Sequence, residues 1–139
     1  MDDRAFAGSC LCGEVRYEIV EPLGRFQYCH CSRCRKFTGS AHAANVFVPP
    51  AQFRWTAGED SVGRYEHPGA EHFATGFCKR CGSSLPWLTQ SGITVVVPAG
   101  TLDEAPGVQP SRNIFWDSRA PWFEDSSALE KIPGTPQKR

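Results

Sequence analysis

The residues with chemistry to offer are seven cysteines in three short motifs: Cys10-Leu-Cys12, Cys29-His-Cys31-Ser-Arg-Cys34 and Cys78-Lys-Arg-Cys81-Gly82. Thiolate sulfur holds zinc at about 2.3 Å, so sulfurs sharing a tetrahedral ion lie only about 3.7 Å apart. Cys78 and Cys81 reach that spacing on a turn, where Gly82 can take the positive φ needed. Cys10 and Cys12 project from one face of a strand, and a strand end that curls slightly, as Gly13 permits, brings them into range. Neither the Cys10/Cys12 pair nor the Cys78/Cys81 pair closes a shell alone, but together they make four ligands. Their binding would clamp the N-terminal hairpin to the middle of the chain, so that metal affinity becomes folding free energy. Cys29, Cys31 and Cys34 fall within six residues and predict a second site of three thiolates. A closed set of four is the structural arrangement, and three protein ligands with one position left for a substrate is the catalytic one. The split therefore predicts a scaffold zinc and a second, more labile zinc that does the work.

Both sites would carry net negative charge. Lys79 and Arg80 flank the first, and Arg33, Arg35 and Lys36 the second, where they would offset that charge and hold the thiol pKa values down. Plainer readings stand beside these: the cations as solvated knuckle loops, the cysteines as a reduced metal-free set, and Cys31–Cys34 as a disulfide formed in air. Of the histidines, His30 alternates away from the cysteine face and reads as a packing residue or one supporting the ligands. His42, His67 and His72 have no partner spacing and read as surface or core. Trp55, Trp87, Trp116 and Trp122 read as core or interface residues.

A chain of 139 residues suits one domain over 1–139 with its own core. The 15 basic and 15 acidic side chains cancel, and a pI near 6.9 leaves no electrostatic footprint for nucleic acid or an anionic membrane surface. No apolar run approaches the roughly 20 residues of a membrane-spanning helix. Met1-Asp2-Asp3-Arg4 does not open a secretory signal, so the reducing cytoplasm is the expected compartment. There, clustered cysteines bind metal or react rather than form disulfides, and an odd number of them agrees.

Apolar residues alternate two apart, as in Val15/Tyr17/Ile19 and Phe53/Trp55, which predicts strands. They are expected near 14–20, 25–29, 42–48, 52–56, 62–66, 71–77, 84–88, 93–98 and 112–117. The β-branched run Ile93–Val97 reads as buried on both faces. Ser32 to Thr38 is expected to form a short helix stopped by Gly39. Residues 101–111 read as a surface connection and 126–139 as a loose tail. The fold expected is mainly β: a single-domain antiparallel assembly with zinc knuckles and a short helix.

Three stretches carry a family resemblance: Gly8-Ser9-Cys10-Leu11-Cys12-Gly13-Glu14-Val15-Arg16-Tyr17, Cys29-His30-Cys31-Ser32-Arg33-Cys34-Arg35-Lys36-Phe37-Thr38-Gly39-Ser40 and Gly76-Phe77-Cys78-Lys79-Arg80-Cys81-Gly82-Ser83. With Gly100-Thr101-Leu102-Asp103 and Ala120-Pro121-Trp122-Phe123, the chain over about 8–124 resembles the glutathione-dependent formaldehyde-activating enzymes, whose domain also occurs in centromere protein V. The resemblance implies a β-tent fold, shared with methionine-R-sulfoxide reductases. It implies Cys10, Cys12, Cys78 and Cys81 as structural zinc ligands and Cys29, Cys31 and Cys34 as ligands of the catalytic zinc. Asn113 departs from it, standing where the family pattern favours histidine.

The function expected is a zinc-dependent carbon–sulfur lyase or synthase acting on a thiol–aldehyde adduct such as S-hydroxymethylglutathione, with glutathione as co-substrate. Arg33, Arg35 and Lys36 are the candidate partners for glutathione's carboxylates, with Thr38, Gly39 and Ser40 supplying hydroxyl and backbone donors. The partners are then a small thiol and an aldehyde, with homo-oligomerisation left open. The alternative is a non-catalytic zinc-binding module that contacts another protein. A sulfoxide reductase would need a spare nucleophilic thiol, and all seven cysteines are assignable to metal.

Overall fold

The computed structural model describes residues 4–124 and 126–136. Among them the strands run, in chain order, β1 (Ala5–Ser9), β2 (Arg16–Val20), β3 (Phe26–Cys29), β4 (Ala43–Val48), β5 (Phe53–Ala57), β6 (Val62–Glu66), β7 (Ala74–Cys78), β8 (Ser84–Leu85), β9 (Trp87–Leu88), β10 (Val95–Pro98) and β11 (Asn113–Ile114), with helix α1 (Ser32–Thr38) between β3 and β4. They form three sheets, ordered β1-β2-β5, β11-β3-β4-β10-β9 and β6-β7-β8. The mainly β architecture is as expected. Pairing is antiparallel except for β11, which runs parallel to β3 with Ile114 opposite Cys29.

The largest apolar cluster lies where the first two sheets face each other. Phe6, Tyr17 and Ile19 from β1 and β2 meet Val46, Val48, Val95 and Val97 from β4 and β10. Period-two alternation sends every second residue of β4 and β10 into that core. The intervening residues, Phe47 and Val96, point to the opposite face, where the site is built.

Several strands differ from the sequence expectation, each for a local reason. β1 lacks the β-branched residues that advertise a strand, yet pairs in register with β2 from Ala5↔Val20 to Ser9↔Arg16. The stretch 84–88 is broken at Pro86, which has no N–H to give a ladder. On one side of it β8 pairs with β7 in the third sheet, and on the other β9 pairs with β10 in the second. Strand β7 starts at Ala74 rather than residue 71 because its partner β6 ends at Glu66. Ile93 and Thr94 give their N–H groups to Thr89 Oγ1 instead of a neighbouring strand, so β10 begins at Val95. Ile93 is 70% exposed, and only Val95–Val97 of that run are buried. The last strand stops after Ile114 because Phe115 turns left-handed, at φ 54°. The helix spans Ser32–Thr38 as expected, and Gly39 ends it at φ 66° with its N–H on Arg35 O. The expected loose tail falls partly outside the described residues.

Candidate active site

The first sulfur group is assembled by two knuckles. Strand β1 ends at Ser9, and Cys10 to Gly13 form a turn in which Gly13 N–H donates to Cys10 O at 3.1 Å, with Gly13 at φ 82°. The Cys10/Cys12 pair thus sits on a turn just beyond a strand end, a tighter curl than the strand face anticipated. Val15 N–H donates to Cys10 Sγ at 3.3 Å. In the second knuckle Cys81 N–H points at Cys78 Sγ at 3.5 Å, and Gly82, at φ 80°, donates to Cys78 O at 2.8 Å. Ser83 ties the knuckles together: its hydroxyl accepts the Leu11 N–H at 2.8 Å and lies 3.2 Å from Cys81 Sγ. That hydroxyl, with the Ser83 and Cys12 backbone donors, holds the Cys81 thiol down at about 5.

The four sulfurs all lie within 4.8 Å of one another. Cys10 and Cys12 are 3.6 Å apart, and Cys12 and Cys78 3.9 Å, which is the edge length of a tetrahedral thiolate shell. Amide N–H groups aimed at sulfur favour the thiolate form, so donor set, spacing and surroundings all fit a closed metal site.

Cys29, Cys31 and Cys34 also come within 4.8 Å of one another. Cys29 ends β3, and Cys31 is the N-cap of α1, its sulfur accepting the Cys34 N–H at 3.3 Å, the job a serine or aspartate oxygen usually does. Hydrogen bonds from the Cys29 and Cys34 thiols pull Cys31 well below the ordinary thiol range, while Cys29 and Cys31, with burial, push Cys34 up. The trio is thus predisposed to hold a thiolate at its centre and fits a metal with three protein ligands.

His30 lies between two of these cysteines but turns away from them, as expected. It is fully buried, its Nε2 is 2.9 Å from Asn113 Oδ1, and its ring packs edge-on against Trp116 and Phe123. Its N–H continues the β3–β11 ladder to Ile114 O at 3.0 Å. Asn113 therefore holds the His30 ring in place.

The trio lines a cavity of about 530 Å³. Its floor is one row across the second sheet, since Phe47 and Trp87 each stand opposite Val96. Ile114, Phe115 and Phe73 add apolar wall, and buried Asn45 and Thr89 add polar points. Glu71 and His72, 3.7 Å apart, stand at the rim. A second cavity of about 460 Å³ shares Ser32, Arg33 and Phe73 with the first. It adds Lys36, Phe37, Tyr65, His67 and Thr75, so its charged lining is cationic, with no carboxylate.

Among the other residues singled out from sequence, Arg33 lines both cavities, with its guanidinium 3.5 Å from Gly69 O, and Lys36 lines the second. Arg35 instead donates to Ser118 O at 2.9 Å, pinning the segment after β11 against the helix. Thr38 returns its hydroxyl to Cys34 O and accepts the Ser40 N–H, so Thr38, Gly39 and Ser40 close the far end of α1. Lys79 reaches Asp60 O and Arg80 reaches Glu14, both at the surface. Sequence reasoning passed over Phe47, Phe73, Asn45 and Thr89 as site residues; Trp87 is core and His72 surface, as expected, and both also line the cavity. The signal available was Asn45, a polar residue in the otherwise apolar run Ala43–Val48; Thr89, followed by Gln90 and Ser91, gave none.

Among known proteins, the family profile described as "Glutathione-dependent formaldehyde-activating enzyme" matches residues 5–118, a span that holds all seven cysteines. A protein of Halomonas elongata, proposed by its name to be such an enzyme, is 30% identical over 130 residues, covering 86% of this chain and 80% of the relative. A crystal structure of a Rhodobacter sphaeroides protein matches with a TM-score of 0.60 at 22% identity, covering 77% of this chain and 98% of that one. At that identity the likeness shows the fold alone.

Proposed function

The chain belongs to the glutathione-dependent formaldehyde-activating enzyme family, and from that premise we propose that it is a zinc-dependent carbon–sulfur lyase or synthase acting on a glutathione–aldehyde adduct such as S-hydroxymethylglutathione. In the synthetic direction the glutathione sulfur bonds to the aldehyde carbon, the carbonyl π bond opens, and the thiol proton ends on the new hydroxyl. The lyase direction reverses each change. One observation carries the reading: three cysteine sulfurs within 4.8 Å of one another open onto a large cavity. The four-sulfur group contributes no residue to that cavity.

A zinc ion on Cys29, Cys31 and Cys34 would supply a site for the incoming thiol and favour its thiolate at neutral pH. The chain's own residues do the rest. The Cys34 N–H and the neighbouring thiols keep Cys31 ready as a thiolate ligand. Arg33 and Lys36 face the second cavity, where no lining carboxylate opposes them, and there they would pair with glutathione's carboxylates. Arg35 acts by holding the Phe115–Ser118 wall in place, and Thr38, Gly39 and Ser40 by fixing the end of the helix that carries Cys34 and Arg33.

The reading includes a single domain working in the cytoplasm on small-molecule partners. No helix among the described residues is long and apolar enough to cross a membrane. Metal analysis and glutathione binding test the proposal together. One zinc per sulfur group is expected, the trio's leaving first to a mild chelator, with a thermal shift on adding glutathione that disappears with it. A single chelation-resistant zinc and no glutathione shift would instead indicate a protein-interaction module.

A further inference from the structure

We propose that the aldehyde this enzyme handles carries an apolar group, an aryl ring or an alkyl chain of several carbons, seated on the Phe47–Val96–Trp87 row. The inference rests on the thiol–aldehyde reading above and adds the class of aldehyde. Formaldehyde contributes little more than the volume of one or two waters, roughly 30–60 Å³. The cavity beside the trio is about 530 Å³, and an apolar cavity of about 150 Å³ is enough for benzene. A formaldehyde adduct would leave most of that volume unfilled.

Charge sorts the two cavities. Arg33 lines both, but in the second it stands with Lys36 and no acid, which draws glutathione's carboxylates there, whereas in the first Glu71 at the rim opposes it. The thiol would then reach the trio from the cationic side, leaving the apolar cavity to the other half of the adduct. Buried Asn45 and Thr89 supply hydrogen-bonding points in that cavity and carry no charge.

Phe115 marks the mouth. It is the one non-glycine residue at positive φ among those described, the residue is 62% exposed, and Arg35 on Ser118 O holds its segment against α1. A strained backbone that places an aromatic ring at the edge of a cavity is the arrangement expected of a wall that a ligand completes. The reaction is the balanced addition already written, with the aldehyde hydrogen of formaldehyde replaced by R: RCHO and a thiol give the hemithioacetal, with no oxidant or reductant.

Two measurements on the zinc-loaded full chain test the inference. Calorimetry compares S-benzylglutathione with S-methylglutathione, stable thioethers that differ only in the apolar group. The benzyl compound should bind at least about tenfold more tightly. Phe115→Gly, which relieves the left-handed strain, should shrink that ratio, and Phe115→Leu should restore part of it. Kinetics then compares formaldehyde, hexanal and benzaldehyde with glutathione, each rate divided by its uncatalysed rate. The enhancement should be larger for hexanal or benzaldehyde. Equal thioether affinities with enhancement confined to formaldehyde overturn the apolar assignment and leave the lyase reading standing. Equal affinities with no enhancement for any aldehyde overturn both. Selective benzyl binding without turnover upholds the apolar subsite and removes the reaction.

Discussion

Single side chains explain why certain motif residues are what they are. A Cβ on Gly8 would run into the ring of Tyr17, which is buried and bonded through its hydroxyl to Thr101 at 2.6 Å. Ser9 Oγ meets Asp103 at 2.7 Å. The Gly8-Ser9, Tyr17 and Thr101-Leu102-Asp103 signatures are thus one structural lock beside the first knuckle. At His30, Asn113→Leu would leave both ring nitrogens unpartnered, since Nδ1 already has no partner. A cost of about 1–3 kcal/mol is expected in urea unfolding, with metal content unchanged. His42 offers a pH test. Burial, with His30 nearby, holds its pKa below the usual imidazole value. A histidine that protonates less readily when folded contributes stability that is lost as pH falls through its unfolded value near 6.5. His42→Phe should therefore lessen the loss of Tm between about pH 7 and pH 5 relative to the parent chain. An unchanged slope would assign the acid sensitivity elsewhere.

Elements were legible where local chemistry decides them. Alternation placed β2 to β6 to within a few residues, and Gly39 marked the helix end because a left-handed cap suits glycine. Gly58 acts at the same scale: it turns β5 into β6 at φ 73°, and a Cβ there would fall on the Glu14 carbonyl oxygen. Gly58→Ala should cost about 1–3 kcal/mol, read as a lowered urea midpoint with an unchanged m-value. Elements were less legible where distant partners decide them. Strand β1 exists because β2 offers a ladder, and the split at Pro86 shows only once β8 and β9 are seen in different sheets. The Cys29-to-Cys34 motif is legible as a knuckle, whereas the role of Cys31 as a helix cap depends on the strand-to-helix junction.

Across the whole molecule the two sulfur groups join different parts. Cys10 and Cys12 follow a strand of the first sheet, and Cys78 and Cys81 belong to the β7–β8 turn of the third. Cys29 and Cys34 join the second sheet to α1, elements adjacent in sequence. A metal on the four-sulfur group spans more than sixty residues of chain and constrains the unfolded state far more than one on the trio. Cys78→Ser should lose cooperative folding or several kcal/mol of it. Cys34→Ser should keep a folded chain that has lost one metal equivalent and any adduct chemistry, checked by circular dichroism melts alongside metal analysis. Equal unfolding of both variants would refute this division of labour.

The amino-acid sequence by itself determined the donor chemistry, the grouping of seven cysteines into four and three, the strand-rich class and the helix with its glycine stop. Each of these depends on residue type and spacing over a few positions. Only the tertiary structure decided what the trio faces. Phe47, Trp87 and Val96 become neighbours because three strands pair in register, and Arg33 divides a cationic cavity from an apolar one because α1 packs where loops from distant parts of the chain converge. Cross-strand register is a long-range property, and the shape of the site follows from it.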